Sequence, residues 1–73
     1  MSRLRERFPC VLRQLRNERG WSQERLAERA DLNRSYVGEI ERGVASPSLT
    51  TAGKLARALE VELSALVARC EHE

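Results

Sequence analysis

The sequence predicts an all-α domain of five short helices, and three observations lead to this fold class. Apolar residues recur at intervals of three and four, the spacing of one face of an α-helix, and no segment reads as a strand. Phe, Trp and Tyr occur once each, so Leu, Val and Ala must build the core, which suits packed helices. A length of 73 residues has room for a single domain, 1–73, without linker or repeat.

The first helix is predicted from four apolar residues that share one face. They follow the i, i+3, i+4 and i+7 spacing and are Phe8, Val11, Leu12 and Leu15. Pro9 fits the first turn of this helix, because its missing N–H has no hydrogen bond to lose there. Gly20 ends the helix, since glycine readily takes the left-handed conformation found after helix C-termini.

The second and third helices are short and follow each other closely. Ser22 and Asn33 are suitable N-caps for them, Gly43 stops the third, and Asp31 falls at the break between them. A tight break favours a left-handed residue, which Asp tolerates better than most residues do. Two short helices joined in this way must cross steeply to bury their apolar positions. These positions are Leu26, Ala27, Ala30, Leu32, Val37 and Ile40.

The opposite face of the third helix is polar and is expected to be exposed. It carries Asn33, Arg34, Ser35, Tyr36, Gly38 and Glu39. Side chains of these types can hydrogen-bond to base edges or to phosphates.

A loop over 44–47 leads to the fourth helix. Ser48 is its predicted N-cap. The apolar residues of this helix again recur at three and four: Leu49, Ala52, Leu55, Ala56 and Leu59.

The fifth helix, about 62–70, is predicted to be a dimerisation segment. It is short and terminal, so we expect its apolar stripe to be incompletely covered by its own domain, with Cys70 at the edge of the stripe. An exposed apolar patch usually marks an interface, and we expect a two-fold homodimer here. The stripe and its neighbours are Leu59, Val61, Leu63, Leu66 and Val67.

Composition argues against several classes of protein. No stretch approaches the ~20 apolar residues of a membrane span, and the N-terminus lacks the apolar run of a signal peptide, so we expect a soluble cytoplasmic protein. Cys10, Cys70 and the single histidine, His72, are too few for a four-ligand zinc site. There is no nucleophile with a nearby histidine and no glycine-rich phosphate loop. We therefore expect no enzyme, metal, cofactor or small-molecule ligand.

Basic residues are concentrated towards one end of the chain. The formal net charge is only +2, yet residues 1–25 carry seven Arg against three Glu, a balance of +4. Twelve of the thirteen cations are Arg, whose planar guanidinium matches phosphates and guanine edges. This distribution fits a polyanionic partner, and charge alone fits a solvated surface equally well.

The segment SQERLAERADLNRSYVGEIERG, with its helix-turn-helix over 22–42, resembles Cro and the phage repressors, the lambda-repressor-like or XRE-type family. The likeness continues through SLTTAGKLARALEV to about Leu66 and so covers some 60 residues. The run LNRSYV before IER also resembles controller proteins of restriction–modification systems. Asp31 departs from the family pattern, in which many members have Gly.

The resemblance implies a five-helix, lambda-repressor-like regulator of transcription that binds double-stranded DNA, with the third helix in the major groove. It implies base-contacting roles for Arg34, Ser35 and Glu39. Tyr36 either packs on a sugar or thymine methyl or covers the edge of the core.

The same resemblance implies roles outside the base-contacting residues. The expected phosphate contacts are Gln23, Asn33, Arg42 and Ser46. Arg16 and Glu41 match a buried ion pair that ties the first helix to the end of the third. Trp21 is expected in the core, at the junction of the first two helices.

Two other functions stay open at this point. One is an antitoxin-like protein-interaction module that also binds DNA, although such proteins usually need an extra segment for the toxin and we expect none after about Cys70. The other is a thiol-based sensor that uses Cys10 or Cys70, whereas a cytosolic protein would keep both as reduced structural thiols.

Overall fold

The computed structural model describes residues 3–72 and contains five α-helices joined by short turns. They are α1 (Arg3–Glu18), α2 (Gln23–Ala30), α3 (Arg34–Glu41), α4 (Leu49–Ala58) and α5 (Leu63–Glu71). No strand occurs between residues 3 and 72, and the predicted all-α, five-helix class is confirmed. Residues 1, 2 and 73, the ends of the predicted 1–73 domain, lie outside the described residues.

Helix α1 begins earlier than predicted because its apolar face extends a further turn towards the N-terminus. Leu4, four residues before Phe8, is half-buried against the core. Pro9 therefore lies inside α1 and not in its first turn, which corrects the prediction. A proline there removes the hydrogen bond to the carbonyl of Arg5, and the burial of Leu4 and Phe8 offsets that loss.

The caps of α2 and α3 are those predicted. The backbone N–H of Arg25 donates to Oγ of Ser22 at 3.1 Å, and that of Ser35 donates to Oδ1 of Asn33 at 2.7 Å. Between the two helices Asp31 is left-handed, with φ 59° and ψ 48°. This single residue reverses the chain tightly enough for α2 and α3 to pack directly against each other as a helix-turn-helix.

Helix α4 is also capped as predicted, and it is followed by a residue whose backbone conformation was not expected. Oγ of Ser48 accepts from the N–H of Thr51 at 3.0 Å, and Leu59 is the C-cap residue. Glu60 follows with φ 60°, a left-handed conformation that no sequence signal indicated. This residue turns the chain into α5.

The core consists of apolar side chains, most of them aliphatic, from all five helices. Val37 and Ile40 on α3 are both 0% exposed, so α3 is held by one face and its other face points to solvent. The other large side chains that are fully buried are Val11, Leu12, Leu26, Leu55, Leu59, Leu66 and Cys70.

Helix α5 is covered more fully than the sequence indicated. Leu59 and Leu66 are each 1% exposed and Cys70 is 0% exposed, so all three are interior residues of this chain. The prediction that Leu66 belongs to an exposed stripe, with Leu59 beside it and Cys70 at its edge, is wrong. The cause is the longer α1, which packs along α5 and covers that face.

The two thiols lie in different environments. Cys10 is exposed on α1, Cys70 is buried in α5, and both are free. Burial raises the pKa of the Cys70 thiol, and the nearby cations Arg7 and Arg69 oppose that shift only in part. Within residues 3–72, no three His, Cys, Asp or Glu side chains form a group that could hold a metal ion. In the same residues, no helix has both the length and the apolar character needed to cross a membrane.

Candidate nucleic-acid interface

Helix α3 presents its first turn to solvent. Arg34 and Ser35 are exposed there, while Val37 and Ile40 on the other face are buried. In a helix-turn-helix the N-terminal residues of the second helix contact base edges. The two residues expected to do so are therefore on the accessible side of the helix.

The other two residues predicted to contact bases are less accessible. Tyr36 is half-buried and packs against the core, which corresponds to the second of its two expected roles, covering the core edge. Glu39 is also half-buried. Its main-chain carbonyl accepts from the N–H groups of Val44 at 2.9 Å and Ala45 at 3.2 Å, which ties the end of α3 to the following loop.

The residues expected to contact phosphate lie at separate places around α3. Asn33 is exposed at the N-cap, where its Oδ1 is engaged by Ser35, so the amide NH₂ remains as its donor group. Arg42 is the exposed C-cap residue. Ser46 is exposed in the loop beyond, and Gln23 is half-buried at the start of α2.

Gln23 and Arg42 nevertheless both approach the middle of α3, at a glycine. A Cβ atom added to Gly38 would lie 3.2 Å from Nη1 of Arg42 and 3.5 Å from Oε1 of Gln23. Gly38, expected on the exposed face, is buried. The side chains of Gln23 and Arg42 thus approach the helix at the one position of α3 that has no side chain of its own.

Glu41 is the buried acceptor at which α1, α2 and α3 meet. Arg16 donates from Nε to Oε2 at 2.7 Å and from Nη2 to Oε1 at 2.9 Å, so the expected ion pair is present and bidentate. Nε2 of Gln23 donates to Oε1 at 3.1 Å, and Nη2 of Arg13 donates to the main-chain carbonyl of Glu41 at 3.1 Å. Sequence reasoning missed the contacts of Gln23 and Arg13, because partners this far apart in the chain leave no local pattern.

The ion pair also balances the charges of the two side chains that lie beneath the polar face of α3. Hydrogen bonding to Glu41 raises the pKa of Arg16, so its guanidinium remains a cation. Nη1 of Arg16 donates further to the main-chain carbonyl of Trp21 at 2.8 Å. Helix α3 is thereby attached to α1 and to the α1–α2 junction. The negative charge of the buried carboxylate is balanced by the positive charge of Arg16.

Trp21 anchors the α1–α2 junction from a half-buried position and is not a fully buried core residue. The Cζ atoms of Arg19 and Arg29 lie 5.3 Å and 5.2 Å from its ring centroid, within the range of cation–π attraction. Arg19 also donates from Nη2 to the main-chain carbonyl of Leu59 at 2.7 Å. This arginine therefore connects the junction to the end of α4.

An apolar groove of about 560 Å³ lies between α1, the loop after α3 and α5. Leu63 and Val67, two of the residues expected at a dimer interface, line it. Val44 and Leu49 also line it and are 72% and 79% exposed. Val61 is half-buried outside the groove.

Comparison with known proteins places these observations in a family. The profile of a family described as helix-turn-helix matches residues 12–66. The chain is 39% identical over 67 residues to the HTH-type transcriptional regulator SutR of Escherichia coli, covering 92% of this chain and 38% of that protein. It is 36% identical over 74 residues to the control protein C.MunI of a Mycoplasma species, with each chain covered in full.

A solved structure extends the comparison to the fold. The crystal structure of the restriction-modification controller protein C.AhdI from Aeromonas hydrophila matches this chain with a TM-score of 0.80 at 48% identity. The match covers 82% of this chain and 91% of that one. This chain accordingly spans less than half of the Escherichia coli regulator, and nearly all of the two controller proteins.

Proposed function

The chain belongs to the XRE-type helix-turn-helix family of transcriptional regulators, and from that premise we propose that it binds a roughly palindromic operator in double-stranded DNA as a homodimer. One observation carries the proposal. The inner face of α3 is fixed by Val37, Ile40 and the Arg16–Glu41 pair, while the first turn exposes Arg34 and Ser35. Such a helix is rigidly mounted and polar on its outer side, as insertion into the major groove requires.

Sequence choice and affinity come from different residues. The guanidinium of Arg34 offers two parallel donors that match O6 and N7 of guanine, and Ser35 contacts the neighbouring base. Glu39 and the exposed part of Tyr36 add to this contact. Asn33, Ser46, Gln23 and Arg42 hold phosphates, which supply affinity and register without sequence information.

The homodimer forms through the apolar groove and the exposed face of α5. Leu63, Val67 and Val61 contribute from the predicted set, and Val44 and Leu49 extend the apolar surface. Large, strongly exposed aliphatic side chains beside a groove are typical of interaction sites. Leu59 and Leu66 support this surface from the core and make no contact across it.

We place the regulator in a restriction–modification system, as its controller protein. The support is the full-length match to the control protein C.MunI and the likeness of fold and sequence to C.AhdI. The operator is then expected in front of genes for a methyltransferase and an endonuclease. An operator in front of a toxin gene would favour the antitoxin-like alternative.

The decisive experiment is selection of bound sequences from random duplex DNA. We expect enrichment of two inverted half-sites whose centres lie one helical turn apart, ~34 Å, because both recognition helices must enter the same face of the duplex. Sedimentation with the selected duplex should give two subunits per site. Absence of any enriched sequence would contradict the proposal.

A further inference from the structure

We infer that Gly38 is a positioning residue for phosphate binding: the space left by its missing side chain lets the guanidinium of Arg42 lie against the recognition helix, where Oε1 of Gln23 orients it towards a phosphate. This inference rests on the proposed DNA-binding function and adds to it a residue that makes no DNA contact of its own.

The first observation is a glycine where a helix has no conformational need for one. Gly38 lies in the middle of α3, four residues from Arg34 and three from Glu41. Glycine destabilises a helix interior relative to alanine, and Gly38 has no left-handed φ, unlike Gly20 and Gly43. Its value must therefore lie in what the absence of Cβ permits around it.

The second observation is what occupies that space. Nη1 of Arg42 and Oε1 of Gln23 both lie within 3.5 Å of the position that a Cβ would take. At 3.2 Å from Nη1, a Cβ would make a tight contact, which the guanidinium could relieve only by moving a few tenths of an ångström. A glycine at this point thus gives the Arg42 guanidinium room to lie against α3, near the place that Oε1 of Gln23 also approaches.

The third observation is the fixed orientation of Gln23. Its Nε2 donates to Glu41 at 3.1 Å. Its Oε1 is therefore the atom that faces the space beside Gly38 in which a Cβ would lie. A carbonyl oxygen is an acceptor and Arg42 carries only donors, so Gln23 is suited to orient Arg42. Hydrogen bonds thus connect Arg16 to Glu41 and Glu41 to Gln23, whose side chain reaches the space beside Gly38.

The charges agree with a phosphate as ligand. The Glu41 carboxylate is taken by Arg16. Among residues 3–72 no acidic side chain forms an ion pair with Arg42. The Arg42 guanidinium is therefore available to pair with an anion, and guanidinium binds phosphodiester oxygens with strong charge-assisted hydrogen bonds.

The test is a pair of substitutions, Gly38→Ala and Gly38→Leu, each measured with the matched changes at Gly53. Gly53 is likewise inside a helix, α4, but a Cβ there would meet no heavy atom within 4 Å. Binding is measured to the selected operator and to a random duplex, over a range of salt concentrations, and folding is measured by urea denaturation.

We expect Gly38→Leu to weaken binding to both duplexes alike, by at least about tenfold, the value of one charge-assisted hydrogen bond. Because Arg42 then leaves its phosphate, the slope of log affinity against log salt should become shallower by about one per subunit. Gly38→Ala should act in the same direction but less, since the end of a flexible side chain can move by a few tenths of an ångström. Gly38→Ala should not lower the free energy of unfolding, because alanine favours a helix interior over glycine, and the Gly53 variants should bind like the wild type.

The stability readout separates this role from a purely structural one, because loss of binding without loss of stability excludes damage to the fold. As a second measure, Gly38→Ala should have no further effect on binding once Arg42→Ala is present. Additive effects in that cycle, an unchanged salt slope in the Leu variant, or a changed base preference would each overturn the inference. A wild-type chain that selects no duplex would instead remove the proposed function itself.

Discussion

Arg16 of α1 grips Glu41 of α3 with two parallel hydrogen bonds, 2.7 Å from Nε to Oε2 and 2.9 Å from Nη2 to Oε1. The side chains are 13% and 2% exposed, so the pair is nearly shielded from solvent. A buried pair of this kind adds little stability over an apolar substitute, yet removing one partner strands the other charge. Helix α3 therefore keeps its position only while both partners of this pair are present.

Arg16→Ala should lower the free energy of unfolding by about 3 kcal/mol, because Glu41 is left buried without its cation. Urea denaturation followed by circular dichroism measures this. Arg25→Ala, at an exposed position of α2, is the control and should stay within about 0.5 kcal/mol of the wild type. The double change Arg16→Met with Glu41→Leu should recover most of the loss. An Arg16→Ala protein as stable as the control would contradict the argument.

Arg34→Ala should change the preferred DNA sequence as well as the affinity. A bidentate contact to guanine contributes about 1–3 kcal/mol per half-site, and its loss should relax the preference at one or two base positions. Arg42→Ala should weaken all sequences about equally. Repeating the selection with each variant measures both effects. If Arg34→Ala keeps the wild-type preference and loses only affinity, Arg34 holds a phosphate and the base contacts belong to Ser35, Tyr36 or Glu39.

Asp31→Gly and Glu60→Gly should both stabilise the protein, since each removes a side chain from a left-handed backbone, with φ 59° and 60°. The gain should be about 1 kcal/mol for Glu60 and smaller for Asp31, because Asp tolerates this region better. Thermal and urea unfolding measure the gain. Glu28→Gly, inside α2, is the control and should instead destabilise by about 1 kcal/mol. Oε1 of Glu60 also accepts from Nη2 of Arg19 at 3.3 Å, and loss of stability in Glu60→Gly would mean that this contact matters more than the backbone conformation.

The two thiols should react at very different rates. Cys10 is exposed and should be alkylated by iodoacetamide in the folded protein, whereas Cys70 is buried and should react only when the chain unfolds. Burial raises the pKa of Cys70, so the folded state keeps that proton to higher pH than the unfolded chain does. The resulting stabilisation is present below the unfolded-state pKa and is lost as pH rises through the folded-state value. Cys70→Ala should therefore show a smaller loss of stability at alkaline pH. Mass spectrometry after brief alkylation tests the rates, and rapid modification of Cys70 would revive a sensor role.

Neighbouring residues of α5 should respond differently to the same substitution. Val67→Glu places a charge in the apolar groove and should give a folded monomer with weakened operator binding. Leu66→Glu places the charge in the core, where the side chain is 1% exposed, and should unfold the protein. Sedimentation and circular dichroism distinguish the two results. A Val67→Glu protein that remains dimeric would place the subunit interface elsewhere.

Local chemistry made the individual helices predictable. Ser22, Asn33 and Ser48 act as the caps that their side chains favour, and Asp31 occupies the left-handed turn that its position required. Each of these outcomes depends on hydrogen bonds or backbone preferences within a few residues. The exposed first turn of α3 followed in the same way, from its apolar spacing.

The errors about Pro9 and Leu66 have one physical origin, the length and path of α1. Leu4 extends the apolar face upstream, which moves Pro9 into the helix interior. The longer helix then covers the side of α5 that carries Leu66. No spacing within α5 carries information about a helix packed against it from the other end of the chain. The hydrogen bond from Gln23 to Glu41 also escaped prediction, because it joins side chains of two different helices.

The packing of α1 against α5 makes the two most distant helices in the sequence support each other. Helix α1 also holds α3 through Arg16. The helix proposed to enter the DNA groove therefore depends on contacts made by the first and the last helix of the chain. Opening of α5 exposes the inner side of α1, and release of α1 frees Glu41. The amide hydrogens of α3 from Val37 onward should accordingly exchange with solvent only when the whole domain opens, so that their protection reports on the contact between α1 and α5.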